Sequence, residues 1–277
     1  MRAGGGSGFV PRRCLPVLGV VVLVLAACGE PVSTPEPVIL QAAGSMEMAP
    51  LLGELAAAFG QENPLVSLEV TGLGTEYGLQ ALRAGDVDVA MASWLPPEPQ
   101  RGWRATAIAR DGLAVIVHPD NPVDGLGLLQ LQTLYSGQVY EWRALSRSAA
   151  PGEVEPVCRE EGSGTRAAFD ALVMDGARLT PWAVVASSPE AVVEYVAGHP
   201  RAIGYVSMAF VTPDVKVLKI EGALPTPEGA AQGSYALTRE LWILTADPPP
   251  EGVQAWLDFV ASPAGQRIVG RQHGRVK

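Results

Sequence analysis

Arg159-Glu160-Glu161-Gly162-Ser163-Gly164-Thr165-Arg166 lies between a short β-favouring run at 154–157 and an amphipathic run at 167–173, in which Phe169, Leu172 and Val173 fall on one side. Strand, then glycine-and-hydroxyl loop, then helix is a building unit of open α/β sheets. The loop also carries chemistry. The first-turn N–H groups of a helix have no partner within it, and the helix dipole adds partial positive charge there. Gly162 and Gly164 let the backbone approach a ligand, and Ser163 and Thr165 add hydroxyl donors. Arg159 and Arg166 bracket the loop with guanidinium forks that suit an oxyanion. An anion site is the sharper reading. The plainer one is a helix capped by Ser163 and flanked by two solvated arginines.

Outward from this loop, strands and helices alternate. A strand is predicted over 38–42, a turn at Gly44-Ser45-Met46-Glu47, and a helix over about 48–59, where Met48, Leu51, Leu52, Leu55 and Phe59 recur at helical spacing. Asn63-Pro64 stops that helix, and 66–70 alternates as a strand. Gly72-Leu73-Gly74-Thr75-Glu76-Tyr77-Gly78 then opens a helix to about 84; Gly78 sits one place too late for a dinucleotide fingerprint. A strand over 87–90 ends at Met91-Ala92-Ser93-Trp94, a proline-rich loop follows at 96–99, and 113–117 is a strong β run. Further helices are predicted at 130–135, 191–196, 253–260 and 263–269. Strands are predicted at 203–206, 241–245 and, as one strand or a pair, 215–220. The alternation implies a mainly parallel α/β sheet. Ligands in such sheets sit beyond the carboxyl ends of the strands. Gly44-Ser45, Gly74-Thr75 and Ser93 then form one half of a site, and the 159–166 loop forms the other.

The chain's start reads as a targeting segment. Arg2, Arg12 and Arg13 precede an apolar run at 15–27, which closes with Leu25-Ala26-Ala27-Cys28. That ending resembles a bacterial lipobox, with cleavage before Cys28 and a lipid on its sulfur; an ordinary secretory signal explains the rest equally well. Residues 29–37 form a short Pro/Ser/Thr tether. With Cys14 in the leader and Cys28 as anchor, Cys158 is left alone, so no disulfide holds the mature fold. The 277-residue chain carries a formal charge of −9, and losing three leader arginines takes it to about −12. Such a balance argues against nucleic acid as a partner. It leaves room for a small anion, because local donors outweigh the long-range field in a buried site. His118, His199 and His273 are scattered, so no metal or cofactor is expected.

Several stretches in order resemble the phosphate-binding solute receptors of ABC importers. Gly44-Ser45 leads to Ala49-Pro50-Leu51, and the 72–78 glycine cluster follows. Gly85-Asp86-Val87-Asp88-Val89-Ala90 runs into Ala92-Ser93, and Asp111-Gly112-Leu113-Ala114-Val115-Ile116-Val117 runs into Asn121-Pro122-Val123. The 131–137 run with Trp142, the whole 159–166 loop, Ala202-Ile203-Gly204-Tyr205-Val206 and Tyr235-Ala236-Leu237-Thr238-Arg239 complete the set. The resemblance covers most of 38–270. It implies an α/β, two-lobed, type II periplasmic-binding-protein-like fold with mixed sheets and hinge crossover strands. Residues 1–27 would be a lipoprotein signal peptide and 28–37 a tether. Residues 38–115 with 206–277 would form the first lobe, and 116–205 the second.

By the same resemblance the ligand contacts fall on Ser45, Met46, Glu47, Thr75, Trp94, Arg159, Glu161, Ser163, Gly164 and Thr165, with Cys28 lipidated and no catalytic residue. Glu161 would accept a hydrogen bond from monohydrogen phosphate and repel sulfate, which keeps no proton. Two positions depart from the family pattern. Met46 stands where a hydroxyl is common, and Trp94 stands where one branch has an aspartate; each is open to packing or to ligand contact. The implied protein is an exported, lipid-anchored monomer that faces the periplasm or cell exterior and delivers phosphate or a related oxyanion to a permease. A receptor for an organophosphate or phosphonate, a signalling lipoprotein and a phosphoester hydrolase are the rivals. The hydrolase is the weakest, because Glu161 breaks the G-x-S-x-G pattern and no histidine lies near Ser163 in sequence.

Overall fold

Burial along the first strand, β1 (Val38–Gly44), falls on Leu40, Ala42, Ala43 and Gly44. A 3-10 turn at Met46–Met48 feeds α1 (Ala49–Glu62), which has proline in its first turn and buries Leu51, Leu52, Leu55 and Phe59, the predicted apolar face. β2 (Val66–Gly72) pairs parallel with β1; α2 (Thr75–Ala84) ends at Gly85 in the left-handed conformation. β3 (Val89–Ala92), buried throughout, pairs parallel with β1 on the other side. The computed structural model describes residues 36–95, 102–145 and 152–276. The expected leader, Cys28, most of the tether and the proline-rich loop lie outside the described residues.

The next strand joins the two halves of the molecule. β4 (Trp103–Val117) runs for 15 residues, far beyond the 113–117 run that its apolar residues suggest. β5 (Gly125–Leu126), α3 (Leu128–Tyr135), β6 (Glu155–Arg159), α4 (Gly164–Phe169), β7 (Val184–Ala186), α5 (Pro189–Gly198), β8 (Ala202–Ser207), β9 (Lys216–Val217), β10 (Lys219–Ile220), α6 (Pro227–Gln232), β11 (Thr238–Ala246), α7 (Glu251–Ala261) and α8 (Pro263–Val269) complete the order. The main sheet reads β2-β1-β3-β11-β4-β8-β6-β7, with β9 beside β4. The first part of β4 pairs antiparallel with β11, from Trp103 opposite Ala246 to Gly112 opposite Thr238. From Leu113 onward it pairs antiparallel with β8. The flanks are parallel as expected and the centre is not, because β4 and β11 cross between the halves in opposite directions.

Among the described residues, side chains pack as two cores on each half of this sheet. Leu40, Leu52, Phe59, Met91, Ile243 and Trp256 centre the larger core of the first half, and Leu82, Ala90, Ala92 and Leu244 make the smaller. Leu113, Tyr135, Trp142, Phe169 and Tyr205 centre one core of the second half, where Phe169 stacks on Tyr205 with ring centroids 3.9 Å apart. Val157, Val192, Val196 and Val206 lie in the other. Leu218, Ile220, Tyr235 and Leu237 join the Tyr135–Phe169 core. Residues 215–220 thus pack with the second half, and the chain is back against the first-half part of β4 by α6, where the Ala231 carbonyl accepts from Arg110 at 2.8 Å. Cys158 is free and buried, and burial pushes its thiol pKa up, as suits a small core side chain. No helix among the described residues is long and apolar enough to cross a membrane.

Candidate ligand-binding cleft

The carboxyl ends of β1, β2 and β3 meet the β6–α4 loop across the crossover. Ser45 follows β1, Gly74 and Thr75 follow β2, and Ser93 follows β3. Opposite them β6 ends on Arg159, and Ser163 caps α4 by accepting the Arg166 N–H at 3.3 Å. The two sides touch. Glu76 N–H donates to the Gly162 carbonyl at 3.3 Å, and a Cβ added to Gly164 would lie 2.3 Å from Thr75 Oγ1 and 2.4 Å from Ser93 Oγ. The Ser93 N–H donates to Thr75 Oγ1 at 3.2 Å, so Thr75 is held by its own half while facing the other.

Arg159, 1% exposed, is the charged centre of this contact. Its Nε and Nη2 form a fork on Glu160, both bonds at 2.8 Å. Its Nη2 also approaches Met46 Sδ at 3.6 Å, and its Nη1 donates to the Glu47 carboxylate from the first half. The Ser45 hydroxyl donates to Glu47 Oε2 at 3.1 Å. Burial pushes the Glu47 pKa up, but Arg159, then Arg239 and a Thr165 hydrogen bond, outweigh it and leave the carboxyl below its ordinary value. Burial likewise opposes the charge on Arg159, yet Glu47 and Glu160 raise its pKa overall.

Behind this pair stands a group that sequence reasoning did not assign to the site. Arg239, at the start of β11, donates to Thr165 Oγ1 at 2.8 Å and to Asp111 Oδ2 through Nε at 3.0 Å and Nη2 at 2.9 Å. Asp111 also accepts from the Ser207 hydroxyl at 2.8 Å and lies 3.5 Å from His273 Nδ1. Burial raises the Asp111 pKa, while Arg239, then His273 and Ser207, bring it below the ordinary value. The signal in sequence was faint: Asp111 and Arg239 each stand just before a strongly apolar β run, but beside another charged residue, Arg110 and Glu240. Buried charges of that kind need each other.

The predicted residues divide in their placement. Ser45, Met46, Glu47, Thr75, Arg159, Ser163, Gly164 and Thr165 converge where the halves meet. Glu161, expected to offer the acceptor, is exposed at the mouth instead. The buried carboxylate is Glu47, because the turn at Gly162 (φ 85°) carries residue 161 outward while the 3-10 turn carries residue 47 in. Trp94 packs against the second-half core from the first half, and it also lines a cavity of about 330 Å³ with Thr75, Leu79, Glu161, Ser163 and Ala167. Arg166 points away from Glu47: its guanidinium donates to Asp170 at 2.8 Å and to the Arg159 carbonyl at 3.1 Å. No cluster among the described residues could hold a metal.

This geometry has known counterparts. Residues 31–264 match the family model described as a PBP superfamily domain. The chain is 28% identical over 243 residues to the phosphate-binding protein PstS of Bacillus subtilis, covering 86% of this chain and 80% of that one. A crystal structure of a putative phosphate ABC transporter substrate-binding protein with bound phosphate, from Clostridium perfringens, superposes with a TM-score of 0.81 at 32% identity, covering 86% of this chain and all of the other. An ABC-type phosphate transport receptor from Vibrio cholerae gives a TM-score of 0.73 at 28% identity, with 85% and 99% covered.

Proposed function

The chain belongs to the PBP superfamily, and from that premise we propose that it is the extracytoplasmic substrate-binding receptor of an ABC importer, with phosphate as its ligand. One observation carries the reading: Arg159 is buried at the meeting of the two halves, beside hydroxyls and the start of a helix. The first-turn N–H groups of Gly164 and Thr165 have no intrahelical acceptor, and Ser45, Thr75 and Thr165 bring hydroxyls from both sides. A tetrahedral oxyanion needs many donors and one fixed cation, and this set provides them. Contacts from both halves favour the closed arrangement, which a membrane permease can then recognise. The relatives named above for phosphate binding and ABC transport support the same reading.

The cavity beside Trp94 favours one further ligand class. Leu79, Trp94 and Ala167 give it apolar wall next to the donors, enough for the organic part of a phosphonate or small phosphate ester. A hydrolase is less well supported: the Ser163 hydroxyl serves as a helix cap, and the buried histidine, His273, faces Asp111. Calorimetric titration of the full chain with phosphate, sulfate, methylphosphonate and a small phosphoester tests these readings. Saturation by phosphate is the expected result. Preference for sulfate defeats the phosphate assignment, and turnover of the ester would revive the enzyme.

The anchor belongs to the same proposal. Cys28 ends the leader's apolar run after small residues, so it would be the first mature residue and carry the lipid. Cys28→Ala is expected to release the protein from membranes or to leave the leader uncleaved. Firm membrane retention of a processed variant would remove this part of the reading.

A further inference from the structure

Glu47 holds the groups that the receptor reading gives to the ligand. Its carboxylate takes Arg159 Nη1 and the Ser45 hydroxyl, with Thr165 and Arg239 close enough to favour its charge. Arg159 has five N–H donors. Nε and Nη2 are committed to Glu160, Nη2 also reaches Met46 across the cleft, and Nη1 is taken from the same turn by Glu47. Glu47 is 3% exposed, and the following residue, Met48, is fully buried. The backbone beneath the carboxylate is thus fixed in the 3-10 turn, and the side chain leaves the pocket only by changing rotamer.

We propose that Glu47 is a built-in occupant of the anion pocket, which an incoming oxyanion must expel from Arg159, so that this one side chain weakens and selects what the cleft binds. The inference rests on the receptor reading and deepens it. Nη1 has a second N–H, but a carboxylate and a phosphate held on it together set like charges a few ångströms apart in one low-dielectric site. The repulsion is greatest for a dianion that keeps no proton to donate. Glu47, built into the turn after β1, therefore disfavours fully deprotonated dianions more than ligands that keep a proton.

Three forms of the full chain test this by calorimetric titration with inorganic phosphate near neutral pH: wild type, Glu47→Ser and Glu47→Gln. The serine variant removes the occupant and adds a hydroxyl, and it is expected to bind phosphate at least about tenfold more tightly than wild type. The glutamine variant keeps the shape without the charge, and it should fall between the two. If the serine form does not fold, the glutamine form decides alone. Phosphate binding by E47S or E47Q where wild type shows none also supports the proposal. Wild-type binding that neither variant improves overturns it and leaves the receptor reading standing. Failure of all three to bind phosphate, sulfate or methylphosphonate removes both.

Discussion

Arg159 and Glu47 come from opposite halves, and both are buried; removing one partner therefore does more than delete a ligand contact. In Arg159→Ala the Glu47 carboxylate stays in a dry site, having lost its hydrogen-bonded counter-charge and kept only Arg239, which is already paired with Asp111. Breaking such a pair from one side costs about 3–5 kcal/mol, and loss of the binding cation costs the ligand about 2–5 kcal/mol. The double variant E47Q/R159A should recover much of the stability and none of the phosphate binding, as urea unfolding and titration would show together. Equal instability in the single and double variants would mean that the pair is not what holds the halves. Asp111 gives the parallel case at the crossover, since Asp111→Asn leaves Arg239 short of its partner. The pH dependence follows from the directions of the shifts. Glu47 and Asp111 have folded pKa values below their unfolded ones, so their contribution is fully present above about pH 4–5, the unfolded range, and is lost as pH falls through the folded values. Thermal melting temperature should therefore fall steeply below about pH 4, and less steeply in Glu47→Gln.

At the scale of the elements, two glycines in helices make opposite predictions. Gly53 lies exposed in α1 with nothing within 4 Å of an added Cβ, so Gly53→Ala should stabilise by roughly 0.5–1 kcal/mol through helix propensity. Gly164 opens α4 against Thr75 and Ser93, so a methyl there would prop the halves apart. Gly164→Ala is expected to weaken phosphate binding at least about tenfold while changing urea stability little, because each half keeps its own core. Unaltered binding would show that the cleft closes elsewhere. The helices and buried strands were legible because their apolar residues repeat at the spacing that burial demands. The 103–112 part of β4 was not: Arg104, Arg110 and Asp111 interrupt it, and its strand character depends on β11, over a hundred residues away. β7, three residues long, and α6, six residues begun by Pro227 after a Thr226 cap, are too short for periodicity to declare. The strand-loop-helix anion unit could be read from local sequence, since glycines, hydroxyls and an arginine lie within eight residues. The role of Glu47 could not, because it exists only once residue 47 is brought to residue 159.

For the molecule as a whole, local and global electrostatics oppose each other. The chain's formal charge is −9, more negative still if the leader is removed, and a phosphate approaching it meets net repulsion before it meets Arg159. That repulsion is long-ranged and screened by salt: the Debye length falls from about 30 Å at 0.01 M to about 8 Å at 0.15 M ionic strength. The Arg159 contact is short-ranged and enclosed once β1 to β3 and the β6–α4 loop have met, so salt should reach it poorly. Association and dissociation should then separate in a stopped-flow experiment that follows intrinsic tryptophan fluorescence as phosphate binds. Raising sodium chloride from 0.01 to 0.15 M is expected to speed association several-fold and to leave dissociation nearly unchanged. A basic steering surface around the cleft would produce the reverse, with association slowing as salt rises. That outcome would mean that charge arrangement at the cleft mouth, where Glu76, Glu161 and Asp170 outnumber Arg166, does not govern approach. Repeating the measurement on Glu47→Gln separates the two scales: this substitution should alter dissociation and equilibrium affinity, while the salt dependence of association, set by the whole chain, keeps its slope.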